Sequence, residues 1–210
     1  MGRAGEVTAA DVGSTTADAL WLDTLHRVCG RAAHELKGAL NGVSVNLEVV
    51  RSRSEKPDVP ASNVSTFASA AVDQLGAVIS MTDSLLSLAR PLREPVDLAL
   101  LLARVHALLA PAVRVDGGRL ELDGDFSELG VTSAHGSAVG MSIGGCVLAA
   151  VDASKDVRCG PMLGTSLPAI RLECGDGGAP FVDPELIGAA ADAGIHIVTE
   201  SSVIAITFPR

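Results

Sequence analysis

Five histidines occur in the chain, at positions 26, 34, 106, 135 and 196, and only His34 is followed by a carboxylate, Glu35. An imidazole, with an unperturbed pKa near 6.5, is partly neutral at cellular pH. It can attack phosphorus through one ring nitrogen while the other keeps a proton. A carboxylate within reach of the ring can hold that proton and stabilise the imidazolium character that develops. Arg31 and Lys37 stand within one helical turn of His34 and bring charge-assisted hydrogen bonds within reach of phosphoryl oxygens. The plain alternative is that Glu35, Arg31 and Lys37 are solvated surface residues, and the residue types alone leave both readings open.

Which face His34 occupies depends on the element that carries it. From Ala17 to Val50 there is no proline, and Leu25, Ala32, Leu36, Leu40, Val43, Leu47 and Val50 recur at threes and fours or their sums, which predicts one long helix with a narrow apolar seam. At 100° per residue that seam points away from His34, with Cys29 and Leu40 at its edge, so the histidine faces solvent. Arg27, Gly30, Arg31, Lys37, Gly38, Asn41 and Val45 share its face, a basic surface of small residues suited to an acidic partner. The charge run from Arg51 and the prolines Pro57 and Pro60 end this helix. A second run comes next, capped by Ser62 or Asn63, with Phe67, Ala71, Leu75, Val78, Leu85 and Leu88 in period up to Arg90-Pro91. Two long antiparallel helices with narrow seams leave apolar surface uncovered, which predicts pairing with a second copy into a four-helix bundle.

The run His34-Glu35-Leu36-Lys37-Gly38-Ala39-Leu40-Asn41 resembles the H-box of histidine-kinase dimerisation domains. The resemblance continues through a returning helix, a proline-containing linker, Pro95-Val-Asp97-Leu, and a sheet-forming unit, and so covers most of the chain. It implies that His34 is the phosphoacceptor, that Glu35 assists it, and that Arg27, Arg31, Lys37, Gly38, Asn41 and Val45 meet the partner. Related kinases that hydrolyse phosphoaspartate carry Asn or Thr four positions after the histidine. Gly38 stands there and places no side chain on a water, which disfavours hydrolysis, although Asn41 lies one turn further.

Beyond the linker Pro91 to Pro95 the composition shifts. Asp97 caps a short helix, Leu98 to Leu109, ahead of Pro111; strands are expected at Arg119 to Asp123 and Pro168 to Cys174, and helices at Ser137 to Ala153 and Pro184 to Ala193. Ile195 to Thr199 and Val203 to Phe208 close the chain as a hairpin. The expected class is α+β: a loose tail over 1–16, a helical hairpin over 17–92 and a sandwich of one antiparallel-looking sheet and a helical layer over 96–210. This last unit resembles the Bergerat-type ATP-binding domain of the same kinases without its chemistry. Ala149 stands where the family's magnesium-holding Asn is expected and Gly145 at the earlier Asn, and a methyl group cannot ligate a hard cation. Asp176-Gly177-Gly178 is either a remnant of the adenine-contacting motif or an ordinary strand-end turn, and no glycine-rich lid comes after it.

Net charge −9 and a pI near 4.9, with five aromatic residues and no tyrosine, disfavour nucleic acid as a partner. Cys29, Cys146, Cys159 and Cys174 sit singly and read as core residues in a reducing compartment. The first 18 residues lack the basic and apolar pattern of a signal peptide, and the least polar run, Gly136 to Val151, is shorter than a membrane span, which predicts a soluble cytoplasmic protein. The resemblance as a whole implies a dimeric histidine phosphotransferase that shuttles phosphoryl groups between receiver-domain aspartates and His34, needs no cofactor of its own and relies on Mg²⁺ held by the receiver. The rivals are a non-catalytic adaptor for a response regulator and a divergent active histidine kinase.

Overall fold

The computed structural model describes residues 9–56, 60–162, 164–175 and 177–210. Helix α1 spans Ala9–Ser54 and helix α2 spans Ala61–Leu88. The expected start of α1 at Ala17 is corrected: the helix begins eight residues earlier, so 9–16 is helix rather than tail, and residues 1–8 lie outside the described residues. Burial of Ala17 and Trp21 explains the extension, because a docked turn gives the residues ahead of it a template to propagate. Helix α2 is entered through Pro60, with φ of −60° and no side-chain cap, so Ser62 and Asn63 lie inside the helix instead of capping it. Two contacts set the sense of the pair. Asn46 Nδ2 donates to Gln74 Oε1 at 3.0 Å, and the Arg53 guanidinium lies 4.6 Å from the Phe67 ring centre, so α2 runs back along α1.

After β1 (Val96–Asp97), helix α3 spans Leu98–Val115, with the Asp97 carboxylate accepting from the Leu100 N–H at 2.8 Å as its N-cap. The expected end of α3 before Pro111 is also corrected. Leu108, Leu109, Ala110 and Val113 are all buried, and that packing carries the helix past a proline that would break an isolated one. The remaining elements are β2 (Arg119–Leu122), β3 (Val131–Thr132), α4 (Gly136–Ala153), β4 (Asp156–Pro161), β5 (Ala169–Cys174), α5 (Pro184–Asp192), β6 (His196–Glu200) and β7 (Val203–Thr207).

The class is α+β with a mixed sheet. Five strands run in the order β2-β4-β5-β7-β6, and β1 pairs with β3 apart from them. Strand β2 is parallel to β4, the chain crossing between them through α4, whereas the other neighbours are antiparallel. The antiparallel look of the expected strands is corrected at that one pairing. Val157, Cys159, Ile170, Leu172, Ile204 and Ile206 are buried against the helical layer. On the opposite face Arg119, Glu121, Arg158 and Arg171 are exposed, and Arg171 pairs with Glu173 at 2.8 Å.

Helix α4 is buried over most of its length and holds Gly136, Gly140 and Gly144 four residues apart, hence on one face. A Cβ on Gly140 would stand 2.9 Å from two atoms of the Trp21 ring, and one on Gly144 would stand 2.7 Å from Thr24 Cγ2. Gly140 and Gly144 therefore form the groove into which the first half of α1 settles, whereas Gly136 lies against Leu92 of the linker. By length and composition alone α2, α3 and α4 would each suffice to cross a membrane, although α3 and α4 line this core.

Candidate functional site

His34 is exposed on α1 and stands at the rim of a cleft of about 420 Å³ that it shares with Arg31 and Glu35. The opposite wall comes from Asp152 near the end of α4, from Ser154 and Lys155 in the turn leading to β4, and from Asp116 after α3. The expected solvent-facing position of His34 thus has a physical basis: Trp21, Thr24, Val28 and Ala32 spend the other side of α1 on burial. Glu35 is half-buried and lines the cleft beside the histidine.

Glycine flanks His34 one turn away in each direction. A Cβ built on Gly30 or Gly38 would meet nothing within 4 Å, so neither glycine is required by packing within the chain. Each costs an α-helix up to about 1 kcal/mol relative to alanine. Their effect is a low surface on both sides of an exposed imidazole, open to the approach of something large. Lys37, Asn41 and Val45 continue that exposed surface along α1, with Val45 63% exposed.

The two arginines expected on this face are not simply solvated. Arg27 reaches Asp152 Oδ2 at 3.2 Å, and Arg31 reaches Asp152 Oδ1, so one carboxylate bridges two guanidinium groups. Sequence reasoning did not place Asp152 in the site, nor Asp116 and Lys155. A signal for Asp152 exists: it is the one charged residue in the 18 of α4, and a lone charge at the end of an apolar helix needs water or a partner.

Gly145 and Ala149, to which the resemblance gives the lost nucleotide chemistry, line a second hollow of about 380 Å³ together with Arg27, Asp183 and Leu186. Leu186 of α5 lies directly against Gly145. Asp176 lies outside the described residues, so the expected remnant or turn at that position stays an expectation. Among the described residues no group of three histidines, cysteines or acids is placed to hold a metal ion.

No family model matches the chain, and no curated protein matches it. Among solved structures it is similar to the Acinetobacter baumannii histidine kinase AdeS, at 12% identity and a TM-score of 0.40, covering 84% of this chain and 97% of that one.

Proposed function

We propose that the chain is a histidine phosphotransferase of a two-component relay, in which His34 takes a phosphoryl group from the aspartate of one receiver domain and delivers it to another. The observation that carries the reading is an exposed imidazole flanked by unpacked glycines, with a carboxylate beside it and a cleft under it. A ring nitrogen of His34 attacks phosphorus; the N–P bond forms as the bond from phosphorus to the aspartyl oxygen breaks, which regenerates the partner's carboxylate. Glu35 holds the proton on the other ring nitrogen, and the receiver brings the Mg²⁺ that neutralises the phosphoryl oxygens. The return step is the same reaction reversed on a second receiver, so no nucleotide is consumed.

The same reading makes the helical hairpin a dimerisation unit. Leu40 and Leu47 on α1, and Val72, Leu75, Ile79 and Leu86 on α2, are exposed aliphatic side chains at helical spacing. A second copy covers such a stripe by forming a four-helix bundle. The C-terminal unit serves as a rigid wall of the site rather than an ATP-binding domain, because Ala149 offers no oxygen to Mg²⁺ and Leu186 fills the space beside Gly145. The relay partners place the protein in the cytoplasm.

The test is incubation with a panel of phosphorylated receiver domains. Label should move to the wild-type chain, and His34→Gln should abolish that transfer while leaving the melting curve within about 0.5 kcal/mol, as expected for an exposed position. Label retained by His34→Gln would move the acceptor elsewhere. A wild-type chain that binds receivers and never becomes labelled would make it an adaptor.

A further inference from the structure

The bridge from Asp152 to Arg27 and Arg31 ties the phosphoacceptor helix to the end of α4, and packing does not explain it. The α1–α4 interface is already closed by Trp21 and Thr24 lying in the Gly140–Gly144 groove. The bridge itself is open to water, with side-chain exposures of 51% for Arg27, 37% for Arg31 and 44% for Asp152. Ion pairs at that exposure hold weakly and exchange readily with other charges. Two cations share one anion, so the trio keeps a net positive charge and remains attractive to a further acid. The arginines stand seven and three residues before His34, about two turns and one turn away on its face.

We propose that Asp152 is an internal stand-in for the acidic group of a docking receiver domain: its carboxylate gathers Arg27 and Arg31 in the unoccupied protein and gives them up when the partner's acidic face arrives. This rests on the phosphotransfer reading for the identity of the partner, but not for the competition itself. A built-in competitor raises the negative charge that a partner must present, so weakly acidic proteins fail to displace it and strongly acidic ones succeed.

The experiment uses the full chain as wild type, Asp152→Asn and Asp152→Glu, and Asp152→Asn again in an Arg27→Gln/Arg31→Gln background. Inorganic phosphate is titrated at low salt and followed at the arginine Nε–Hε resonances. Asp152→Asn should bind phosphate roughly two- to tenfold more tightly, with a steeper salt dependence, whereas Asp152→Glu should behave as wild type. Without the two arginines the Asp152→Asn gain should vanish. Unchanged or weaker phosphate binding by Asp152→Asn, or a gain that persists without the arginines, overturns the proposal, and a loss of thermal stability without tighter binding reduces Asp152 to a structural tie. The same variants are then titrated with receiver domains. If receivers phosphorylate His34 and Asp152→Asn does not tighten their binding, this inference fails alone; if no receiver binds while the phosphate result holds, the phosphotransfer reading fails and the internal competitor stands.

Discussion

The two halves of α1 have the same kind of apolar seam and opposite fates. In the first half Trp21, Thr24, Val28 and Ala32 are buried, with Trp21 and Thr24 against the glycines of α4 that let the two backbones approach. In the second half Val43 is half-buried and Leu40 and Leu47 are exposed, although α2 runs alongside and bonds to α1 through Gln74. One half is completed by its own chain, and the other presents a surface still to be covered. His34 stands at the junction, held by the docked half and exposed beside the open one. A rigid mounting next to an accessible face is what the proposed role of His34 as an acceptor of phosphoryl groups requires.

The comparison breaks most visibly at Trp21. Trp21→Ala should cost about 3–5 kcal/mol, because it empties the space between α1 and α4; urea unfolding followed by circular dichroism measures it. A loss below about 1 kcal/mol would mean that the docked half is not held as described. Glycine substitutions sharpen the same contrast. Gly144→Leu should destabilise by about 1–3 kcal/mol through its collision with Thr24, whereas Gly38→Ala, which points into open space, should stabilise by up to about 1 kcal/mol. Equal signs for the two would erase the difference between the halves.

On the open half, Leu47→Lys combined with Ile79→Lys should reduce the mass seen by light scattering from two chains to one. Trp21 is the sole tryptophan, so its fluorescence reports on the docked half, and in this double variant its unfolding transition should stay close to that of the wild-type chain. A wild-type chain already monomeric at micromolar concentration would leave the exposed stripe to another occupant. The smallest effect concerns the thiols. Burial pushes Cys159 up to about 12 and Cys146 higher still, from an ordinary value of 9.0, and raises half-buried Cys29 as well. Alkylation at pH 8 should therefore reach Cys29 slowly and Cys146 only on unfolding. With folded values raised, the thiols contribute stability that is complete below pH 9 and is lost progressively as pH rises toward 12. Denaturation midpoints measured at pH 8 and pH 10.5 check the sign.

Legibility in the sequence followed the range of the interaction. The exposed face of His34, the Asp97 cap and the closing β-strand pair were readable because each depends on residues close in sequence, through the helical period, one side-chain bond, or a two-residue turn from Glu200 to Val203. Strand β4 was not readable. Asp156 and Arg158 alternate with only Val157 and Cys159 before Gly160-Pro161, and that short pattern gains its meaning from β2 on one side and β5 on the other. The continuation of α3 past Pro111 escaped for a similar reason, since local propensity opposes it and burial of Leu109 and Val113 overrides it.

The order of residues by itself determined that a histidine beside a carboxylate rides on one face of a long helix with its apolar residues turned away, because a 3.6-residue period leaves no other placement. Only the tertiary structure decided what surrounds that histidine. Asp152 lies 118 positions after His34 and reaches Arg27 and Arg31 because α1 sinks into the glycine groove of α4. An ion pair between residues so far apart in sequence has no periodic signature; it exists only where packing of other side chains has brought the two backbones together.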